Sequence, residues 1–255
     1  MRRYGLIGYP LTHSFSQKYF TEKFAREGIE DCAYSNFPLA SIDELPAVLA
    51  DPELCGLNIT IPYKEQVLSF LDERSPVVAA IGACNCIRID GGRRIGHNTD
   101  VVGFEQSLLP KLASHHRQAL VLGTGGASKA VEYVLEKLGI AYRLVTRRPR
   151  AGTRDLGYEQ VDEAVMRSHT LVVNTTPLGM YPRVEECPPL PYEAVRPEHY
   201  FFDLIYNPAR TLFLLKAEER GAVVENGHEM LLLQAEESWR IWQEPLEAAR
   251  PKARH

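Results

Sequence analysis

Residues 118–148, "QALVLGTGGASKAVEYVLEKLGIAYRLVTRR", decide how this chain folds. Four apolar residues, Ala119 to Leu122, suit a buried strand and are too few for a helix. They run into Gly123-Thr124-Gly125-Gly126-Ala127-Ser128, then a helical stretch closing near Leu138-Gly139, then a second apolar run. Strand, helix and strand make a βαβ unit, whose two strands are parallel. The glycine turn inside it is that of a dinucleotide fold. Its first glycine bends the chain, its second lets the backbone approach a pyrophosphate, and the helix N-terminus supplies N–H groups and a positive dipole end. Ser128 takes the third small position, where glycine or alanine is usual.

The following strand selects the dinucleotide. An acidic residue about 20 positions beyond the glycines takes the ribose hydroxyls of NAD, whereas a cation there accommodates the 2′-phosphate of NADP. The chain reads "LVTRRPR", with Arg147 and Arg148 where the acid would stand. A guanidinium is a planar, bidentate donor to phosphate, so NADP is the expected cofactor.

Outward from that unit the same alternation recurs. Toward the N-terminus, strands are expected at "RYGLIGY", "AYSNFPL" and "GLNITIP", with helices at "QKYFTEKFAREG", "SIDELPAVLAD" and "YKEQVLSFLDE". Short strands follow at "ACNCIRID" and "RRIGHNT", then a helical link "VVGFEQSLLPKL" broken by Pro110. Beyond the unit, "TLVVNTTPLGM" and "FFDLIYNP" read as buried strands ending in polar turns, and "HEMLLLQAEESWRIW" as a helix with one apolar stripe. The fold class is α/β, with two domains. Residues 1–100 form a substrate domain on a mainly parallel sheet and 101–227 a Rossmann-type domain, with the active-site cleft expected between them.

Composition narrows the function. The 255 residues are 45% hydrophobic and 24% charged, ordinary for a globular protein, with a formal charge of −4 and no dense basic tract. Nucleic acid is not an expected partner. "MRRYGLIGYPLTHS" turns polar too soon for a signal peptide or a membrane span, so no membrane association and a cytoplasmic location are expected. Five scattered cysteines argue against a disulfide framework, and Cys84-x-Cys86 lacks the second ligand pair a zinc site needs. No metal is expected.

In the first half, polar residues gather where strands end. Asn58 to Ile61 alternate polar and apolar, Pro62 ends the ladder, and Lys64 follows one residue past Tyr63. Ser14, Ser16, Thr60, Asn85, Asn98, Thr99 and Asp100 lie at comparable places. Hydroxyls, amides, one cation and one carboxylate suit a small polyhydroxylated or carboxylate-bearing molecule. The same residue types also cap helices, close turns or sit solvated.

Taken in order, "GYPLTHSFS", "NITIPYK", "GACN", "GHNTDVVGF", "LGTGGASKA", "NTTPLGM", "DLIYNPARTLFL" and "GHEMLLLQA" resemble the shikimate dehydrogenase family over nearly the whole chain. The resemblance implies NADPH-dependent reduction of 3-dehydroshikimate to shikimate, in the route to aromatic amino acids. It implies Lys64 and Asp100 as the catalytic pair, and Ser14 and Ser16 as carboxylate binders. Asn58, Thr60, Asn85 and Gln234 would meet the ring hydroxyls, with Tyr206 nearby. Gly123, Gly125, Gly126, Ala127 and Ser128 would bind the cofactor with Thr146, Arg147, Arg148, Asn174, Thr175 and Gly227. The helix from residue 228 to 255 would complete the substrate domain. Small molecules are the implied partners, and the chain would be a monomer or a homodimer.

There are departures from the family pattern. Ser16 is followed by Gln17-Lys18, the usual Asn-Thr is Asn85-Cys86, and the usual Asn-Arg-Thr is Thr146-Arg147-Arg148. Three rivals share parts of the set: a paralogue acting on quinate, a methylenetetrahydrofolate dehydrogenase on a similar frame, and a sensor that binds the ligand without turnover. The first would keep nearly every motif; the second would have to dispense with Asn58, Thr60 and Asp100. The sensor would be free to lose Lys64 or Asp100, and both are present.

Overall fold

The run RRYGLIG forms strand β1 (Arg2–Gly8), buried from Tyr4 onward because both of its faces are covered. It belongs to a computed structural model that describes residues 1–11 and 15–244. The chain divides into two units, Met1–Thr99 with the stretch that begins at Ala235, and Asp100–Gln234.

In the first unit, β1 leads through α1 (Phe15–Glu27) to β2 (Cys32–Pro38), then through α2 (Leu45–Leu49) to β3 (Leu54–Ile59). After these come β4 (Glu73–Arg74), α3 (Pro76–Ile81), β5 (Cys86–Asp90) and β6 (Arg93–His97). The sheet order is β2-β1-β3-β5-β6-β4. Strand β1 runs parallel to β2 and β3, and β4 parallel to β6, but β5 is antiparallel to both neighbours, so the sheet is mixed. The reason for the β5–β6 pairing is local. Gly91 and Gly92, both at positive φ, make a two-residue hairpin turn that only antiparallel strands can use.

The segment 63–73, expected as a helix, forms only a 3₁₀ stretch at Gln66–Phe70. Spacing of three stacks Val67 over Phe70 and Leu68 over Leu71, and all four pack into the core beneath β3. Helix α3 starts on a Ser75 cap with Pro76 in its first turn and ends on Gly82 at φ 65°.

The second unit runs α4 (Asp100–Leu108), β7 (Gln118–Leu122), α5 (Gly126–Lys137), β8 (Ala141–Val145), α6 (Glu163–Ser168), β9 (Leu171–Asn174), β10 (Tyr200–Asp203), α7 (Leu212–Glu218) and β11 (Val223–Glu225). Among the described residues its five strands are parallel, in the order β11-β10-β9-β7-β8. The order reverses between β7 and β9, which opens a crevice at their carboxyl ends where open α/β sheets bind ligands.

Helix α8 (His228–Gln243) contains the dividing line, between Gln234 and Ala235. Beyond it, Trp239 and Trp242 join Tyr4, Phe20, Phe24 and Tyr34 in an aromatic cluster on one face of the first sheet. Trp242 stacks on Tyr4 with ring centroids 4.7 Å apart, and its Nε1 donates to the Ile87 carbonyl at 3.0 Å.

This packing requires glycine at position 56, where a Cβ would stand 2.3 Å from Trp242 Nε1. Gly56→Ala is expected to displace the indole and destabilise the protein by roughly 1–3 kcal/mol, with red-shifted tryptophan emission. Urea unfolding followed by fluorescence checks this, and a midpoint equal to the wild type's would refute it.

Candidate functional site

In the first unit the polar groups at the strand ends are joined to one another. Asn58 is the penultimate residue of β3 and is buried. Its Oδ1 accepts from the Tyr34 hydroxyl at 2.9 Å, and its Nδ2 donates to Ser238 Oγ at 2.8 Å and to the Asn85 carbonyl at 3.4 Å. Asn85 Oδ1 accepts from the Thr99 amide at 2.7 Å, and its Nδ2 donates to Thr99 Oγ1 at 3.0 Å. Thr99 Oγ1 lies 3.3 Å from Ser238 Oγ. At the other end, the Ser16 side chain hydrogen-bonds Tyr34. Burial raises the Tyr34 pKa well above the phenol range, with Ser16 pulling it back. Ser16, Asn58 and Asn85 are thus brought into one chain of contacts, through Thr99, already among the strand-end polar residues, and through two residues that the sequence reading did not assign to the site, Tyr34 and Ser238.

Donor accounting fixes what this chain can offer. Among the described residues both amide hydrogens of Asn58 are engaged, which leaves an oxygen lone pair, and Asn85 retains one amide hydrogen. A ligand with several hydroxyls suits that pair, because a hydroxyl both donates and accepts.

Thr60 follows β3 and donates its N–H to the Ile7 carbonyl at 2.9 Å. Buried Tyr63 donates to the Leu39 carbonyl at 2.6 Å, and the Cys84 N–H donates to the Lys64 carbonyl at 2.8 Å. Lys64 therefore stands on a turn pinned from two sides, its side chain half-buried and close enough to Cys84 to act on its thiol. Burial pushes the Cys84 thiol up to about 12 and raises that of Cys86 as well, so neither is a ready thiolate. Asp100 is buried as the first residue of α4. Ser14 lies outside the described residues.

In the second unit, Gly123 sits at φ +104°, where a Cβ would come 2.8 Å from Thr175 Oγ1. Thr175 donates its N–H at 3.0 Å and its hydroxyl at 2.7 Å to the Leu122 carbonyl, holding the end of β9 against the turn. A Cβ on Gly125 would meet open space, and among the described residues no side chain caps α5. Among the described residues the Gly126 and Ala127 amides thus have no side-chain acceptor at the helix N-terminus. Buried Ser128 ties the first turn to the Gly125 carbonyl through its N–H and, at 2.7 Å, its hydroxyl.

Beyond β8, Thr146 Oγ1 accepts the Arg148 N–H at 3.4 Å. Arg150 is held by Asp155, 2.8 Å from Nε. Arg147 and Arg148 are exposed, and among the described residues neither side chain forms an ion pair. Arg147 lies near the Tyr158 hydroxyl and lowers a phenol pKa that burial raises.

Asn174 donates to Asp203 at 3.0 Å and accepts the Thr176 N–H and hydroxyl, shaping the loop after β9. Tyr206 lies exposed in the loop after β10. Gly227 packs there against backbone, where a Cβ would be 2.1 Å from the Leu204 carbonyl, and donates its N–H to Ile205 at 3.0 Å. Gln234, half-buried, donates to the Leu231 carbonyl at 3.1 Å. Among the described residues no helix is long and apolar enough to cross a membrane, and no cluster of three His, Cys, Asp or Glu side chains could hold a metal.

A family model for the shikimate dehydrogenase substrate binding domain matches residues 6–87. The shikimate dehydrogenase (NADP(+)) of Oleidesulfovibrio alaskensis is 40% identical over 257 residues, covering 94% of this chain and 88% of the relative. A solved shikimate 5-dehydrogenase from Thermus thermophilus, in complex with NADP(H) and shikimate, matches with a TM-score of 0.85 at 32% identity, over 96% of this chain and 95% of that one. A quinate dehydrogenase from Corynebacterium glutamicum in complex with NAD matches with a TM-score of 0.84 at 26% identity, over 95% and 93%.

Asp203 is fully buried and accepts from Thr211 Oγ1, the Ile205 N–H and Asn174 Nδ2. Burial nevertheless pushes its carboxyl up to about 6 from an ordinary 3.8. The folded protein then binds this proton more tightly than the unfolded chain, so the group's contribution is full below about pH 4 and is lost as pH rises to about 6. Relative to Asp203→Asn, the wild type is expected to lose on the order of 2–3 kcal/mol between pH 4 and pH 7. Urea titrations of both proteins at each pH measure the difference; a pH-independent offset would show that the carboxyl is not raised.

Proposed function

The chain belongs to the shikimate dehydrogenase family, and from that premise we propose that it reduces 3-dehydroshikimate to shikimate with NADPH, reversibly, in the route to aromatic amino acids. The observation that carries this reading is the pair Arg147 and Arg148, exposed beyond β8 and, among the described residues, without ion pairs, next to a glycine turn whose helix start has no side-chain cap among those residues. The open space before Gly125 and the arginine pair fit a dinucleotide that bears an extra phosphate. Bound NADPH supplies the hydride that turns the ring ketone into an alcohol.

The rest falls to side chains. As the ketone becomes an alcohol, negative charge builds on its oxygen and needs a positioned donor. Lys64 is assigned that role, from a turn fixed by Tyr63 and Cys84, with Asp100 as the carboxylate that works with it. Ser14 and Ser16 are assigned to the substrate carboxylate. Asn58, Thr60, Asn85, Tyr206 and Gln234 are assigned to its ring, with a hydroxyl donating to Asn58 and one accepting from Asn85. Gly123 to Ser128 take the pyrophosphate, Thr146 to Arg148 the 2′-phosphate, and Asn174, Thr175 and Gly227 the nicotinamide side. The same reading places the enzyme in the cytoplasm, acting on small molecules as a monomer or a homodimer.

The first test is turnover of shikimate against quinate, each with NADP and with NAD. Fast turnover only with shikimate and NADP is expected; a preference for quinate or NAD would move the chain to a quinate-type paralogue, and none at all would end the enzymatic reading. Lys64→Ala is expected to lower kcat by about 10²–10⁴-fold with a small change in KM, and near-normal kcat would remove Lys64 from catalysis. Removing both guanidinium groups, Arg147→Ala with Arg148→Ala, is expected to raise KM for NADP by roughly 10–100-fold while leaving NAD nearly unaffected. Equal losses with both cofactors would mean that the arginines do not read the phosphate.

A further inference from the structure

Ser238 is a polar residue at a core position of α8, on the stripe with Ala235 and Trp242, and it is completely buried. Its hydroxyl touches three parts of the substrate-side network: Asn58 Nδ2 at 2.8 Å, Thr99 Oγ1 at 3.3 Å, and the Cys86 thiol. Tyr34 alone would fix only the oxygen end of the Asn58 amide. With Ser238 accepting from Nδ2, both ends are fixed, since the second amide hydrogen reaches the Asn85 carbonyl only at 3.4 Å. An amide held at one end can turn about its last bond; one held at both ends presents a single face.

We propose that Ser238 is a positioning residue for the substrate ring. Through Asn58 it keeps the amide oxygen turned toward Tyr34 and the incoming hydroxyl, and through Thr99 it links that orientation to Asn85. The inference rests on the functional reading above, because it needs Asn58 and Asn85 to meet a polyhydroxylated ring.

The network also says where a replacement hydroxyl could stand. Asn58 and Cys86 are directly opposite partners on adjacent antiparallel strands, so their side chains share a face at a separation of about 5 Å. The Cys86 γ-position already lies in hydrogen-bonding contact with Ser238. A threonine at position 86 would therefore place an oxygen within reach of Asn58 Nδ2 from the other side.

The test is steady-state kinetics of the full chain with shikimate and NADP. Ser238→Ala is expected to raise KM for shikimate by about tenfold, leaving KM for NADP unchanged and kcat within threefold. The double variant Ser238→Ala, Cys86→Thr is expected to recover most of that loss, whereas Cys86→Thr alone changes KM little. A Ser238→Ala enzyme with wild-type KM overturns the proposal. So does a parallel fall in kcat and in affinity for both substrates with a lowered Tm, which marks a packing role, or a folded double variant that shows no recovery. Should Ser238→Ala not fold, Ser238→Cys keeps the volume while replacing the hydroxyl with a weak acceptor. It must then show the same selective rise in KM, and normal KM there overturns the inference. A wild type inert toward shikimate defeats the functional reading itself, and this inference with it.

Discussion

A polar side chain taken out of water must find its hydrogen-bond partners inside the protein, and each unit meets that demand where its strands end or begin. In the first, Asn58 at the end of β3 is satisfied by Tyr34 and Ser238, and Asn85 by Thr99. In the second, Asp203 at the end of β10 is satisfied by Thr211, Ile205 and Asn174. An unpaired member of either set would cost about 1–3 kcal/mol, so the partners lock one another into single rotamers. That locking shapes the loops after these strands: Asn174, fixed by Asp203, in turn holds Thr176 by two hydrogen bonds.

The elements that carry this arrangement were largely legible in the sequence, because they depend on local periodicity. The βαβ unit came from one apolar run, one glycine turn and one amphipathic stretch, and β7, α5 and β8 fall on those residues. The shape of the first sheet was harder to read. Alternation of strand and helix suggested a mainly parallel sheet, yet Gly91-Gly92 turns the chain back on itself and sets β6 antiparallel to β5, which in turn lies antiparallel to β3. The dipeptide was visible; its consequence depended on which strands became neighbours. The stretch from 63 to 73 has helical spacing on paper, but packing of Val67, Leu68, Phe70 and Leu71 on the core selects the tighter winding.

For the site, residue type was readable and partnership was not. Asn58 and Asn85 stood out as amides at strand ends, whereas Tyr34 and Ser238 looked like an ordinary strand tyrosine and helix serine. Their importance comes from pairing over 24 and 180 residues of sequence, which no local pattern encodes. The signal available for Ser238 was a hydroxyl on an apolar helical stripe, a place where a polar residue needs a partner. Gly227 illustrates the converse. The glycine was conspicuous, and the structure supplies a packing reason for it in the Leu204 carbonyl, which leaves no room for a side chain.

In the proposed reading, the selectivity of the arginine loop arises from what is left unpaired. Asp155 takes Arg150 through its backbone N–H, Nε and Nη2, so that guanidinium holds the loop in shape. Arg147 and Arg148 have no such carboxylate among the described residues, and both are exposed. Ordering two long side chains on a ligand costs about 0.5–1.5 kcal/mol each, while a charge-assisted hydrogen bond to phosphate contributes about 1.5–3 kcal/mol. A ligand with a phosphate there gains more than the ordering costs; one with only hydroxyls there gains too little to order the arginines and leaves them in water. Under the proposed reading the loop would discriminate through the free energy gained by one cofactor, with little penalty imposed on the other, while Arg150 is already engaged by Asp155.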